Sequence, residues 1–129
     1  MIGLFLLTHS TYGEALIQCA CHVLNKRPLQ IAQLGVAAQD DPLDALPLAR
    51  DMLKLVDTGR GVLILTDIYG ATPSNLALKL LEPGRIEGIA GVNLPMLLRA
   101  IAYRDKYMET LITRTVAGGR DGVLNMLKH

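Results

Sequence analysis

The chain has 129 residues, of which half are hydrophobic, 19% are charged and only 4% are aromatic, with a formal net charge of +1. This length predicts one domain with a sizeable buried core and excludes two. The near-neutral charge argues against nucleic-acid binding, and the first residues lack both a positively charged start and a membrane-length apolar stretch, so we expect a cytoplasmic protein.

Residues 1–10 form an apolar run that ends in Thr8-His9-Ser10 and predicts a strand buried on both faces. In an open α/β sheet, ligands bind at the carboxyl ends of the strands, so His9 lies where chemistry occurs. A single His in such a place is more often structural than catalytic, so its assignment depends on the residues at the ends of the other strands.

Apolar residues at helical spacing predict a helix from Tyr12 to Asn25, which contains Cys19, Cys21 and His22. Positions two apart on a helix are separated by about 200°, so the two thiols cannot form a disulfide. No second pair of ligands elsewhere supports a metal site. We therefore expect free thiols, no metal and no cofactor.

A less hydrophobic run from Leu29 to Val36 predicts a strand near the edge of the sheet. Asp40-Asp41-Pro42 is typical of a helix start, with Asp as the cap and Pro in the first turn. Pro47 conflicts with a helix that begins at Pro42, because Pro has no amide N–H to donate. The helix therefore either starts near Leu46 or bends at Pro47.

Residues 61–66 form the clearest buried strand of the sequence, and Asp67 comes directly after it. A glycine-bearing loop comes next and opens into a helix that is predicted to run through Leu81. Thr72 is suited to be the N-cap of this helix, with Pro73 as its first residue.

Ile86 to Val92 predicts a fourth strand, and Asn93 after it is suited to cap the next helix. A weaker helical pattern begins after Arg104, and Gly118-Gly119 is expected to end it. Gly122 to Leu127 then has the pattern of a last strand or a short helix.

The alternation of strand and helix periodicity predicts βαβ units and a parallel sheet. Right-handed crossovers bring His9, Asp67 and Asn93, each at or just after the end of a strand, to one edge. A carboxylate that accepts one ring N–H of a His fixes the tautomer and leaves the other nitrogen as a nucleophile. The same carboxylate stabilises the ring cation that forms when that nitrogen is phosphorylated.

Gly70-Ala71-Thr72 offers main-chain amides and a hydroxyl at a helix start, where a phosphate can bind. Together with His9 as nucleophile and Asp67 as orienting carboxylate, this stretch completes the parts of a phosphohistidine carrier. Three residues are candidates for a supporting role: Thr66, Ser10 and Asn93. Plain packing also explains Thr66, and helix capping also explains Asn93.

The sequence resembles the IIA component of the mannose/fructose/sorbose family of the bacterial phosphoenolpyruvate-dependent sugar phosphotransferase system. Four stretches carry the resemblance and together run through essentially the whole chain: Gly3–His9 with Gly13-Glu14, Gly61–Asn75, Ala90–Leu97 and Gly119–Val123.

This resemblance implies that His9 takes a phosphoryl group on Nε2 from the phosphocarrier protein HPr, while Asp67 holds Nδ1–H. It implies that Thr72 and the loop amides contact the phosphoryl oxygens. The group then passes to a IIB component, which phosphorylates sugar entering through a membrane complex, so the link to the permease is indirect.

The family fold is a parallel sheet of order 2-1-3-4 with helices on both faces. It closes with an antiparallel strand, here Gly122 to Leu127, that is exchanged in a homodimer. Two positions depart from the family pattern: Ser10 replaces the Gly that usually comes after the active His, and Ala71 replaces the second Gly of the loop. A residue other than Gly at a positive φ costs about 1 kcal/mol.

Three other functions stay open at this point. A regulatory phosphoprotein would use the same His9 phosphorylation to control a target protein without sugar transport. A receiver-like module with Asp67 as phosphoacceptor needs an acidic pair after the first strand to hold Mg²⁺, where this chain has Thr8-His9-Ser10. A small-molecule binding module would use the anion site for a ligand phosphate.

Overall fold

Strands and helices alternate along the chain in the computed structural model, which describes residues 1–129. The strands are β1 (Gly3–His9), β2 (Ile31–Val36), β3 (Val62–Thr66) and β4 (Ile86–Ala90). The helices are α1 (Tyr12–Leu24), α2 (Pro42–Val56), α3 (Thr72–Leu78), α4 (Leu94–Tyr103) and α5 (Met108–Asp121), and a 3₁₀ turn lies at Met126–Lys128. None of these helices is long and apolar enough to cross a lipid bilayer.

The four strands form one parallel sheet in the order β2-β1-β3-β4. Leu6 on β1 lies opposite Leu65 on β3, so His9 and Asp67 leave the two central strands at the same edge of the sheet. The predicted fold class and strand order are confirmed.

Side chains from the central strands enter two cores, one on each face of the sheet. Leu4 and Leu6 point into the core covered by α1, α4 and α5, whereas Phe5 and Leu7 point into the core covered by α2 and α3. Because both faces are buried, β1 and β3 are apolar almost without interruption, and this explains why they stand out in the sequence as continuous apolar runs.

The less hydrophobic strand β2 lies at one edge of the sheet, as predicted. It begins at Ile31, two residues later than expected, because Leu29 is exposed and Gln30 adopts a positive φ of 49°. Strand β4 forms the opposite edge and ends at Ala90.

Helix α2 begins at Pro42, and the Asp41 side chain caps it by accepting the Leu43 amide at 2.9 Å. The alternative start near Leu46 is therefore wrong, and Pro47 lies inside the helix. Pro42 in the first turn costs no hydrogen bond, whereas Pro47 removes one from the helix interior.

Helix α5 does not end at Gly118-Gly119 but continues through both glycines to Asp121. A Cβ at Gly118 would lie 2.6 Å from the Arg99 Cβ, and one at Gly119 would lie 2.6 Å from the Met96 Cε. The glycines therefore allow close packing of α5 on α4, and the prediction that they break the helix is wrong.

The predicted strand from Gly122 to Leu127 is absent from the single chain. These residues leave the end of α5, and the last of them enter the 3₁₀ turn. None of the four strands pairs with this tail. Of the two predicted alternatives, a last strand or a short helix, the single chain has only the short 3₁₀ helix at Met126–Lys128.

Candidate functional site

His9 ends β1 at the carboxyl edge of the sheet, where its side chain is 31% exposed. Its ring Nδ1 lies 2.8 Å from Oδ2 of Asp67, and its main-chain N–H donates to the same oxygen at 3.0 Å. One carboxylate oxygen therefore holds both the backbone and the ring of His9, which fixes the position and orientation of the imidazole.

The contact with Asp67 determines which ring nitrogen of His9 carries the proton. A carboxylate accepts hydrogen bonds, so Nδ1 is the protonated nitrogen, and in the neutral ring Nε2 keeps its lone pair. Nε2 has no hydrogen-bond partner within the chain. The predicted pair is therefore brought together, and Nε2 is the ring nitrogen that keeps a lone pair.

Asp67 comes immediately after β3, and its side chain is 16% exposed. Its second oxygen, Oδ1, accepts the Ile68 amide at 3.2 Å. Asp67 thus orients the imidazole and also caps its own loop. The loop contact fixes the carboxylate, which makes it a rigid partner for His9.

The loop after Asp67 differs from the predicted arrangement in two hydrogen bonds. Ala71, not Thr72, is the N-cap of α3, and the Thr72 hydroxyl donates to the carbonyl of Ala38 at 2.9 Å. The Gly70 amide donates to the Ser74 hydroxyl at 2.8 Å. The prediction of Thr72 as N-cap is wrong, because a contact 34 residues away in sequence takes its hydroxyl.

The two departures from the family's glycine pattern have different backbone consequences. Ser10 has a φ of 48°, in the left-handed region that favours glycine. Ala71 has a φ of −103°, which any residue adopts easily. The replacement of Gly therefore costs free energy at Ser10 and none at Ala71.

Two of the weaker candidates, Asn93 and Thr66, make no hydrogen bond to His9. Asn93 caps α4 by accepting the Met96 amide at 2.9 Å, and its own amide donates to the Gly119 carbonyl at 3.0 Å. The Thr66 hydroxyl is buried without a hydrogen-bond partner, next to a cavity of about 70 Å³ between α3 and β4. These contacts do not bring either side chain to His9.

Sequence reasoning missed two residues that shape the site. The Thr8 hydroxyl accepts the Gly13 amide at 2.8 Å and so ties the first turn of α1 to the strand end before His9. The buried Ser74 hydroxyl holds the last two residues of the loop before α3, since it accepts the Gly70 amide and also donates to the Ala71 carbonyl at 3.0 Å. Thr8 could have been found from the sequence, because it is a polar residue at the end of an otherwise apolar strand. No local pattern in the sequence points to Ser74.

Cation ligands are not grouped anywhere in the structure. No three His, Cys, Asp or Glu side chains come together in a way that could hold a metal ion. Cys19 is exposed and Cys21 is partly buried, both as free thiols.

A family model described as the fructose IIA component of the phosphotransferase system matches residues 3–116. The chain belongs to this mannose/fructose IIA family. The match includes β1 with His9, β3 with Asp67 and the loop up to α3, so the predicted family membership is confirmed.

Relatives of this IIA chain include both mannose-specific and fructose-specific proteins. It is 29% identical over 125 residues, which is 95% of the chain, to the mannose-specific EIIAB component of Escherichia coli, and it spans 38% of that protein's length. It is 43% identical over 54 residues, 41% of the chain and 37% of the relative, to the fructose-specific EIIA component of Bacillus subtilis.

Solved structures of IIA components have the same fold as this IIA chain. The EIIA component from Streptococcus agalactiae superimposes with a TM-score of 0.86 at 18% identity, and each chain is covered completely. The mannose/sorbose IIA subunit from Enterococcus faecalis gives a TM-score of 0.84 at 21% identity, over 96% of this chain and 93% of that one.

Proposed function

We propose that this IIA chain is a phosphoryl carrier in which His9 accepts a phosphoryl group from phospho-HPr and passes it to a IIB component. One observation carries the proposal: Asp67 holds Nδ1–H of His9, so Nε2 is left with a lone pair at a partly exposed edge of the sheet. Family membership supports the reaction class, because the family model describes a phosphotransferase component.

In the first transfer, the Nε2 lone pair attacks the phosphorus carried by HPr. The bond between phosphorus and HPr breaks, and its electron pair stays with HPr. The new Nε2–P bond leaves a positive charge on the His9 ring, and the Asp67 carboxylate at 2.8 Å stabilises this charge. Transfer to IIB runs the same step in reverse, and His9 returns to the neutral ring with its proton still on Nδ1.

The loop after Asp67 would receive the phosphoryl oxygens through main-chain amides. The Gly70 amide is taken by Ser74 and the Thr72 hydroxyl by Ala38. The amides of Ala71 and Thr72 therefore remain as the donors we assign to the phosphoryl group, because the first helical residue has no acceptor within its own helix. Gly70 contributes by its positive φ of 87°, which turns the chain toward them.

The proposed partners are based on the family and on the names of relatives. The mannose-specific relative of Escherichia coli is an EIIAB component, which supports a IIB acceptor for this chain, while phospho-HPr is the proposed donor. In this scheme the chain works in the cytoplasm and reaches the membrane permease only through IIB. Its free thiols would stay reduced there.

We also propose that the chain forms a homodimer by exchange of its C-terminal residues. Strand β4 is an edge strand whose outer side pairs with Glu82 at Ile86 and is free over the rest of the strand. Beside it lies the apolar cavity of about 70 Å³ lined by Leu78, Leu81 and Ile89. The tail exposes apolar side chains that need cover: Val123, Leu124, Met126 and Leu127. A tail paired with β4 of a second copy would bury them. Sedimentation should then give twice the 14.0 kDa chain mass, and a monomer at micromolar concentration contradicts the exchange.

The test of the carrier is incubation with phosphoenolpyruvate, Enzyme I and HPr, followed by intact-mass measurement. The wild type should gain one acid-labile phosphate and His9→Ala none. His22→Ala is the matched control, because His22 lies in the last turn of α1, and this variant should gain phosphate normally. Phosphate retained in His9→Ala would refute the assignment.

The same phosphorylated protein separates transport from regulation. Addition of a IIB protein should remove the phosphate from His9 in the carrier. Phosphate that stays on His9 in the presence of IIB would favour the regulatory phosphoprotein.

A further inference from the structure

The side chain of Ser74 lies on the first turn of α3 and is only 4% exposed. Its hydroxyl accepts the Gly70 amide at 2.8 Å and donates to the Ala71 carbonyl at 3.0 Å. A single buried oxygen therefore uses both its donor and an acceptor position to tie together the two loop residues that precede α3.

The loop has little other restraint at Gly70. This residue has a φ of 87°, and a Cβ placed there would meet no atom within 4 Å. A glycine in open space samples many backbone conformations, so packing does not select the observed one. The bond from its amide to Ser74 is then the contact that selects it.

The position of the Ala71 amide depends on this contact. Rotation about the Gly70 backbone would move the Gly70–Ala71 peptide unit and with it the Ala71 N–H. Because amides stabilise a developing charge only when they are held in place beforehand, loss of the restraint lowers their effect on transfer more than on binding.

We propose that Ser74 is a positioning residue for phosphoryl transfer to His9, and this inference rests on the carrier function proposed above. Its hydroxyl sets the conformation of Gly70 and Ala71 and has no contact with the phosphoryl group itself. The role is one of geometry, so it predicts a slower chemical step with normal docking of phospho-HPr.

Three variants separate this role from a general effect on folding. Ser74→Ala removes the hydroxyl. Ser74→Thr keeps it and places one added methyl group next to the cavity of about 70 Å³ that Ser74 lines. Thr115→Val is the matched control, because Thr115 is also buried in a helix and its hydroxyl has no partner.

The experiment measures the single-turnover rate of phosphate uptake as a function of phospho-HPr concentration, with the melting temperature of each variant. Ser74→Ala should lower the rate at saturation by roughly ten- to a hundredfold, with half-saturation within about twofold of the wild type. Ser74→Thr should restore most of the rate, and Thr115→Val should leave it unchanged. An unaltered rate in Ser74→Ala, or an equal loss in Thr115→Val, overturns the inference.

Hydrogen exchange of the Gly70 amide tests the loop without phosphate. Exchange should be about fivefold faster in Ser74→Ala than in the wild type and normal in Ser74→Thr. Unchanged exchange in Ser74→Ala overturns the inference even if the carrier works. If the wild type takes up no phosphate while exchange accelerates as expected, the carrier function fails and the positioning role falls with it, although the loop contact stands.

Discussion

At each end of the sheet, a polar side chain joins neighbouring segments of the chain through hydrogen bonds. Only at the carboxyl end does this leave a side-chain nitrogen without a hydrogen-bond partner. At the amino end, the buried Arg104 guanidinium donates to the carbonyls of Ile2, Leu29 and Gln30. At the carboxyl end, Asp67 holds the backbone and ring of His9 and leaves Nε2 without a partner.

The environments of the two groups explain the difference in role. Arg104 is 3% exposed, and burial lowers the pKa of its guanidinium while the charge of Asp105 opposes that shift. Each of its three nitrogens donates to a main-chain carbonyl within the chain. The His9 side chain is 31% exposed, and its Nε2 has no hydrogen-bond partner within the chain. A saturated polar network stabilises the fold, whereas an unsaturated one at the surface is available for chemistry.

The largest expected effect is on the rate at the carboxyl end. Asp67→Asn should slow phosphate uptake by roughly 10²- to 10⁴-fold, because a neutral amide neither stabilises the ring cation nor fixes the tautomer. Rapid-quench transfer from phospho-HPr measures this.

The control for this variant is Asp57→Asn at the amino end, where Asp57 accepts the Gly59 and Gly61 amides and pairs with Arg85. It should lose stability and keep the wild-type rate. If Asp67→Asn takes up phosphate at a rate within about twofold of the wild type, the carboxyl end of the sheet is no more important for transfer than the amino end, and the comparison is contradicted.

The next effect is on stability at the amino end. Arg104→Met should lower the free energy of unfolding by roughly 2–4 kcal/mol, because three main-chain carbonyls each lose a hydrogen bond and only that of Gln30 keeps a second donor, the Leu4 amide. Urea unfolding measures the loss, and phosphate uptake by the folded fraction should be normal. Slower uptake in fully folded Arg104→Met would show that the two ends are coupled.

The smallest expected effect is on the free energy of unfolding, and it has opposite signs at Ser10 and Ala71, both near the carboxyl end of the sheet. Ser10→Gly should raise the free energy of unfolding by about 0.5–1 kcal/mol, since Ser10 has a φ of 48°. Ala71→Gly should lower it by about 0.5 kcal/mol, because a φ of −103° gives glycine no advantage and its unfolded chain is more flexible. Thermal unfolding of both variants checks the signs, and equal signs would contradict the backbone argument.

The sequence predicted the features that depend on neighbouring residues in the chain. The apolar runs that end in His9 and Asp67 identify strands buried on both faces, and parallel strands leave a sheet at one edge, so the central pair could be predicted. Asp41-Pro42 identified a helix start because both signals lie in the first turn.

Features that depend on distant residues were not predictable in this way. The Thr72 hydroxyl donates to the carbonyl of Ala38. The carbonyls that Arg104 binds lie 74 to 102 residues away in sequence. Gly118 has no room for a side chain because Arg99 on α4 lies close to it. A glycine pair inside a helix has the same local pattern whether it ends the helix or admits a neighbour. Only the packing of α4 on α5 decides between them.

The most direct test of the account is ¹⁵N NMR of the imidazole nitrogens in the phosphorylated protein. We expect the phosphorus coupling on Nε2 of His9, and on Nδ1 a retained proton, as the bond to Asp67 requires. Coupling of phosphorus to Nδ1 of His9, or to a nitrogen of His22 or His129, would contradict it.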